Sequence, residues 1–193
     1  MLLEKKIAEV EKIFKSLEKD MVTFRKKSGI SCLQDCYHCC MKKDIHATVL
    51  EFLPLAYYLY KENLADAVLE KMDARPDQDT CMMFAPLTLN GTLTGCSHYN
   101  YRGLICRLFG FSANTNKQGQ PVLATCHPLK TKYPEKTSDP AISRLAPQMS
   151  KYYSRLYALD FKLSVTYYPI NEAIRKAIES VIFYFSLKGK KVS

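Results

Sequence analysis

The stretch Cys32-Leu-Gln-Asp-Cys36-Tyr-His-Cys39-Cys40 places four cysteines within nine residues. Four more cysteines follow singly, and they are Cys81, Cys96, Cys106 and Cys126. Thiols this crowded mispair or oxidise unless a metal ion or an iron–sulfur cluster gives each thiolate a partner. We therefore treat all eight cysteines as candidate metal ligands, and we expect the bound metal to order the loops that carry them.

An even number of cysteines is also typical of a secreted disulfide scaffold. A secretory signal has an uninterrupted apolar segment, whereas lysine and glutamate recur throughout residues 1–27. The longest apolar run near the carboxyl end, residues 181–187, is far shorter than the roughly 20 residues that span a bilayer. We expect a soluble, cytoplasmic protein with no membrane contact. In a reducing compartment, clustered cysteines are more often ligands or redox groups than structural bridges.

The composition is that of an ordinary globular chain. Of its 193 residues 47% are hydrophobic, which suits a single domain over residues 1–193 with a sizeable core. The formal net charge of +9 would permit contact with nucleic acid or with an acidic protein partner. The basic residues are mixed with acidic ones along most of the chain, however, and this favours a solvated surface over a nucleic-acid site.

Apolar residues recur every three or four positions at the start of the chain, at Leu3, Ile7, Val10, Phe14, Leu17, Met21 and Phe24. This spacing predicts an amphipathic helix over residues 1–29 that ends at Gly29. The same spacing fits the seam of a coiled coil, but about three heptads are few for an independent dimer, so packing within the domain is favoured.

Further helices are predicted on both sides of the later cysteines. Thr48 and Glu51 form a capping box that should start a helix, followed by a helical piece over about residues 64–72. Carboxy-terminal helices are expected over residues 138–189, with Asp139-Pro140 as a start, a break at Pro147, a helix over 149–163 and a last one after Pro169.

The cysteine-cluster region, residues 30–130, is rich in turn signals. Asn90-Gly91 predicts a small β-hairpin over residues 88–94. The predicted fold is therefore mainly α: a helical domain whose irregular, cysteine-rich centre is ordered by metal.

The spacing of the cysteines does not identify which metal is bound. Only Cys36 and Cys39 form a C-x2-C pair, so the pattern is neither a zinc ribbon nor a bacterial ferredoxin run. Eight thiols could form one site or two. Neighbouring Cys39 and Cys40 point in different directions in most backbone conformations, so one of them could face a different site.

Two arginines and two histidines lie close to the cysteines in sequence. Four thiolates around zinc, or around a [4Fe–4S] core, leave a net charge of about −2 that nearby donors offset. Arg107 directly follows Cys106 and Arg102 lies four residues before it, so both are candidates for this role. His38 and His98 neighbour cysteines and are weaker candidates as ligands, because thiolates suffice for an all-sulfur site.

At this point the pattern resembles the YkgJ-type cysteine-cluster family, a zinc- or iron-chelating domain. The resemblance rests on the first block, on Glu51 and Cys81, and on a second block, Cys96-Ser-His-Tyr-Asn-Tyr-Arg-Gly-Leu-Ile-Cys106-Arg-Leu-Phe109, with Cys126 after it. The family's second block reads approximately C-x-I-Y-x-x-R-P-x-x-C-R-x-F. Residues that match it are Tyr99, Arg102, Cys106, Arg107 and Phe109.

The chain departs from the family pattern at three positions. His98 stands where isoleucine is usual, Gly103 where proline is usual, and Tyr37 where glycine is frequent. These departures affect the expected loop geometry, and none of them replaces a cysteine. The resemblance covers roughly residues 32–126, so the flanking helices lie outside it.

The resemblance implies metal binding, and a related cysteine block occurs in flagellin lysine methylases. This chain lacks a glycine-rich nucleotide loop after a strand, and its residues form no convincing catalytic set. We therefore expect a non-catalytic protein whose thiolates hold iron, first as an iron–sulfur cluster such as [4Fe–4S], or else zinc. The alternatives are a redox, electron-transfer or methylase-related enzyme component, and a zinc-stabilised module that binds nucleic acid or protein.

Overall fold

The computed structural model describes residues 2–32, 36–85 and 95–189, and these are mainly helical, which confirms the predicted fold class. The α-helices are α1 (Leu3–Ser28), α2 (His38–Met41), α3 (Leu53–Lys61), α4 (Ala65–Asp73), α5 (Leu104–Leu108), α6 (His127–Lys132), α7 (Pro134–Ser138), α8 (Pro140–Leu145), α9 (Met149–Leu159), α10 (Phe161–Ser164) and α11 (Ile170–Gly189). Short 3-10 turns are formed by Leu50–Phe52 and Tyr99–Tyr101. None of the described helices combines the length and apolarity that crossing a membrane requires.

The core lies where α1, α3, α9 and α11 pack together. All seven residues of the predicted apolar stripe on α1 are buried, and Val10, Leu17 and Phe24 have no solvent exposure. The helix ends at Gly29 as predicted. Gly29 adopts a left-handed φ of 68°, and its amide donates to the carbonyl of Arg25, which satisfies one of the last helical acceptors.

The carboxy-terminal prediction is confirmed in outline. Asp139 caps α8, because its side chain accepts the amide of Ala141 at 2.7 Å, and α11 runs from Ile170 to Gly189. The helix predicted over 149–163 is divided: α9 ends at Leu159, and Asp160 starts α10 by accepting the amide of Leu163. Sequence analysis did not predict α6 and α7.

Two antiparallel strand pairs complete the fold. β1 (His46–Ala47) pairs with β4 (Tyr168–Pro169), and β2 (Ser112–Thr115) forms a hairpin with β3 (Pro121–Ala124). The hairpin turn is closed by Asn116, whose side-chain oxygen accepts the amides of Gln118 and Gln120. Sequence analysis predicted a hairpin elsewhere, over 88–94, which lies outside the described residues.

The predicted capping box around Glu51 has a different geometry from the one expected. The amide of Thr48 donates to Glu51 Oε1 at 2.8 Å, as predicted, but the Thr48 hydroxyl donates to the same oxygen at 3.0 Å instead of capping a helical amide. The other carboxylate oxygen, Oε2, accepts the amide of Ile105 at 2.7 Å. Glu51 thereby fixes the start of α5, which carries Cys106.

Gly103 permits this close approach of α5. A Cβ atom at position 103 would lie 2.7 Å from Phe52 Cζ and 3.0 Å from Glu51 Oε2. The glycine that departs from the family pattern is therefore explained by the ring of Phe52, which occupies the space that a side chain would need.

Burial raises the pKa of Glu51 to about 6.

We expect Glu51→Ala to destabilise the fold strongly. The buried amide of Thr48 and the part-buried amide of Ile105 would lose their acceptor, and each unpaired donor costs about 1–3 kcal/mol, so the free energy of unfolding should fall by about 2–6 kcal/mol. Denaturant unfolding of this variant should be compared with that of Glu70→Ala, an exposed position on α4. Equal unfolding free energies for the two variants would contradict the role given to Glu51.

Candidate metal centre

Seven of the eight cysteines line one cavity of about 700 Å³, and they are Cys32, Cys36, Cys39, Cys40, Cys81, Cys96 and Cys106. The folded chain thus brings both blocks of the sequence pattern, and Cys81 between them, to one place. Apolar residues of the core, including Phe52, Ile170 and Ile174, form another part of the lining, and Arg102 and Arg107 contribute positive charge.

Hydrogen bonds of the backbone bring the cysteine segments together. Helix α2 carries Cys39 and Cys40, and the carbonyl of Cys40 accepts the amide of Cys81 at 3.2 Å. The segment after Cys81 then runs antiparallel to the segment that holds Cys96, because the amide of Ser97 donates to the carbonyl of Met83. Cys81 and Cys96 are therefore held beside Cys40 by main-chain contacts.

Asn171 anchors this arrangement to the core, and sequence analysis missed it. Its side-chain oxygen accepts the amide of Met82 at 2.8 Å, and its side-chain nitrogen donates to the carbonyls of Gln78 and Thr80, both at 2.9 Å. The only sequence signal is a polar residue in the first turn of an otherwise apolar helix face. Through Asn171, α11 fixes the loop that delivers Cys81.

Cys126 stands at the edge of the site. It is buried and precedes α6 as its N-terminal flanking residue. The charge of Cys126 contributes, after burial, to raising the pKa of Cys39 to about 12, with smaller contributions from Cys32 and Cys36. Cys126 therefore lies within electrostatic range of Cys39, although it is not among the described residues that line the cavity.

The remaining thiols interact strongly with one another. A hydrogen bond from the Cys40 thiol lowers the pKa of Cys96 to about 7 and raises that of Cys40. Burial raises the pKa of Cys81 to about 11, and burial also raises the pKa of Cys106 well above its ordinary value. Ligation would have to displace protons from most of these groups, since only the thiolate binds metal.

Arg107 holds the loop that precedes Cys106. Its Nε donates to the carbonyl of Arg102 at 2.9 Å, a terminal nitrogen donates to the carbonyl of Asn100, and its guanidinium lies 4.7 Å from the ring centroid of Phe14. Burial lowers the pKa of Arg107, and the positive charge of Arg102 lowers it further. Phe14 belongs to α1, so this wall of the cavity depends on the amino-terminal helix.

Arg102 also lines the cavity. Its guanidinium stacks 3.4 Å from the ring centroid of Tyr99, and its Nε donates to the carbonyl of the same residue. The charge of Arg102 reaches the thiols of Cys39, Cys96 and Cys106. It is therefore placed to offset negative charge on these sulfurs.

The two histidine candidates differ in position. His98 lines the cavity, with Nδ1 at 2.8 Å from Ser97 Oγ, and burial lowers its pKa. His38 is not among the described residues that line the cavity, and its ring stacks on Tyr37 at a centroid distance of 5.8 Å. Of these two candidates, only His98 is among the described residues that line the cavity.

The thiols line the same cavity, but they do not form a complete metal-coordination shell. Across residues 2–32, 36–85 and 95–189, no group of three or more cysteine, histidine, aspartate or glutamate side chains is arranged as a metal site. The chemistry of the donors nevertheless fits zinc or an iron–sulfur cluster, because both prefer thiolate ligands. The residues therefore fit zinc or an iron–sulfur cluster in the type of their donor atoms and in where these donors lie.

Comparison with known proteins gives no relative: no protein-family model, no curated protein and no solved structure matches the chain. Membership of the YkgJ-type family stays a prediction from the cysteine pattern.

We expect Asn171→Ala to loosen the loop that carries Cys81 while leaving α11 folded. Three hydrogen bonds would be lost, and about 1.4 kcal/mol of local stability corresponds to a tenfold change in the open fraction. In chelator-treated, reduced protein, alkylation of Cys81 followed by mass spectrometry should become about tenfold faster or more. Glu172→Ala, at the next and exposed position, is the control, and equal Cys81 rates in the two variants would argue against an anchoring role.

Proposed function

We propose that this protein binds a thiophilic transition metal through its cysteines, with iron in an iron–sulfur cluster as the first assignment and zinc as the second. The observation that carries the proposal is the convergence of seven cysteines, from Cys32 to Cys106, on one cavity. Thiols gathered in this way are prone to oxidation and mispairing unless they serve as metal ligands or redox groups. The protein resembles the YkgJ-type pattern in the same residues.

The lining of the cavity disfavours hard cations. Calcium and magnesium require several oxygen ligands, usually carboxylates. Among the described residues that line the cavity, Glu18 is the only acidic one, and its carboxylate pairs with Arg25 at 2.8 Å. A sulfur-rich lining instead selects zinc, iron–sulfur clusters or monovalent copper.

The size of the cavity and the number of thiols favour a cluster over a single zinc ion. A structural zinc site is closed around one ion by four ligands at about 2.3 Å. Seven thiols around about 700 Å³ provide more donors and more room than one such ion uses. The apolar part of the lining would also limit solvent access, which is one way in which proteins tune the potential of a cluster.

The roles of the individual residues follow from their contacts. The cysteines would supply thiolates, and the bound group would supply charge compensation for them and, if it is a cluster, electron transfer. The positive charge of Arg102 acts on three of the thiols, and Arg107 holds the loop before Cys106 through two main-chain carbonyls. Glu51 docks α5 and so fixes the backbone of Cys106.

Metal content is the direct test. Anaerobically purified wild-type protein should be brown and contain iron and sulfide, whereas a zinc protein would be colourless. Single serine replacements of Cys36, Cys39, Cys96 and Cys106 should each reduce the bound metal by about half or more, because a lost thiolate opens the site. Lys117→Ser, in the exposed turn of the β2–β3 hairpin, introduces the same residue away from the cavity and should keep full metal content. Full stoichiometry in all four cysteine variants would refute the assignment.

Arg107 provides a second test. Arg107→Ala should weaken metal affinity by roughly 10–100-fold, the usual effect of removing a group that supports a ligand. Arg107→Lys should restore only part of the loss, because an ammonium cannot donate to both carbonyls with the planar geometry of guanidinium. Affinity can be measured by competition with a chromophoric chelator, with Lys117→Ala as the control. An affinity for Arg107→Ala equal to that of the control would mean that the arginine has no part in the site.

A further inference from the structure

A second, smaller cavity of about 150 Å³ shares two thiols with the large one. It is lined by Cys39 of α2, by Lys42, Asp44 and His46 from the segment after α2, by Cys106 of α5, and by apolar side chains that include Phe109. Because Cys39 and Cys106 also line the large cavity, these two thiols can be reached from both cavities.

The main chain holds the segment that carries the polar residues of the small cavity. His46 begins β1 and is paired with Pro169 of β4, and the carbonyl of Ile45 accepts the amide of Ile170 at 2.9 Å. The side chains of Asp44 and His46 are nevertheless exposed. The segment is thus fixed to the start of α11, while its carboxylate and its imidazole stay in contact with solvent.

Neighbouring cations do not occupy the carboxylate of Asp44. Lys43, the adjacent lysine, pairs instead with Asp79 at 2.9 Å. Among the described residues, Asp44 forms no ion pair, and the side chain of His46 makes no hydrogen bond. Both side chains are therefore available to an ion from solution, and carboxylate oxygen and imidazole nitrogen are ligands that zinc and iron accept.

The donors lie in an order that suits inward transfer of a metal ion. Asp44 and His46 are exposed, whereas Cys39 and Cys106 are partly buried and border the large cavity. An ion bound first by oxygen and nitrogen can exchange these ligands for sulfur, which zinc and iron–sulfur sites prefer. Each thiol that joins the ion gives up its proton to solvent.

The small cavity is suited to passing an ion on and not to retaining it. Across the ranges that the structure describes, no three cysteine, histidine, aspartate or glutamate side chains are arranged to hold an ion. The volume of about 150 Å³ nevertheless has room for an ion with several waters, since a water takes about 30 Å³ in the liquid.

The large cavity presents positive charge to an incoming cation. Its described lining contains the guanidiniums of Arg25, Arg102 and Arg107 but only one carboxylate, Glu18, which pairs with Arg25. Two arginine charges in that lining are thus left without a carboxylate partner. Charge of one sign at the mouth of a cleft changes the association rate of an ion by about 10–10³-fold. An approach past Asp44 is therefore electrostatically favoured over an approach past the arginines.

We infer that Asp44 and His46 form the entry by which a divalent metal ion reaches Cys39 and Cys106 and, past them, the large cavity, an inference that rests on the proposed metal-binding function. The two entry residues bind the ion transiently and are not among its final ligands. They therefore set how fast metal is loaded and released, whereas the thiols set how tightly it is held.

The test compares rates with affinities in the full chain, with Co²⁺ as the probe because its thiolate complexes are coloured. Reduced, metal-free protein is mixed with Co²⁺ under anaerobic conditions and followed by stopped-flow absorbance, and release is measured after addition of excess chelator. The double variant Asp44→Asn, His46→Gln should load about tenfold more slowly or less. Its release should slow by the same factor, because a shared route changes both rates and leaves the Kd unchanged.

Two matched variants test the sign and the place of the effect. Asp66→Asn removes the same charge from an exposed position on α4 and should load at the wild-type rate. Lys42→Gln removes a positive charge from the small cavity, where the ammonium lies 5.7 Å from the ring centroid of Phe109, and should load faster than wild type. All these positions are exposed, and circular dichroism checks that each variant is folded.

The outcomes separate the two proposals. A wild-type chain that binds no cobalt, zinc or iron overturns metal binding and the entry together. Metal binding with equal loading rates in the wild type and the double variant overturns the entry alone. A weaker affinity at an unchanged loading rate also overturns the entry, because it would make Asp44 or His46 a final ligand.

Discussion

The carboxylate of Glu51 is fully buried and accepts the amide of Thr48 on its own segment and that of Ile105 far along the chain. The cavity depends on this pair of contacts, because α5 has only five residues and cannot hold its position alone. Gly103 completes the arrangement by letting the backbone approach Phe52. A polar interaction in the core, rather than the thiols, therefore sets where the second cysteine block lies.

The helices that flank the cysteine region were predictable because their signals are local. Each signal spans only a few residues: these are the apolar stripe of α1, Gly29 at its end, the Asp139 cap and the start of α11 after Pro169. The β2–β3 hairpin was not predicted, since its strands are short and its first strand, Ser-Ala-Asn-Thr, is polar in sequence. Its pairing depends on packing against the domain.

The residues of the candidate site could be predicted from the sequence, but their spatial arrangement could not. The clustered cysteines are recognisable by residue type, and the adjacency of Cys39 and Cys40 already suggested that their side chains point in two directions. The placement of Cys126 near Cys39, and the anchoring of the Cys81 loop by Asn171, depend on contacts between positions about 90 residues apart. Spacing along the chain carries no signal for such contacts.

Arg107 rests on the ring of Phe14, and Ile170 and Ile174 line the same cavity from the opposite end of the chain. The cysteine-bearing segment therefore shares its core with the flanking helices: one wall of the cavity comes from α1 and another from α11. Excised as a fragment, residues 32–126 would keep every sulfur yet lose the surfaces that gather them. The thiol-rich segment of this protein is not a portable module, and transplanting it would transfer the ligands without the pocket.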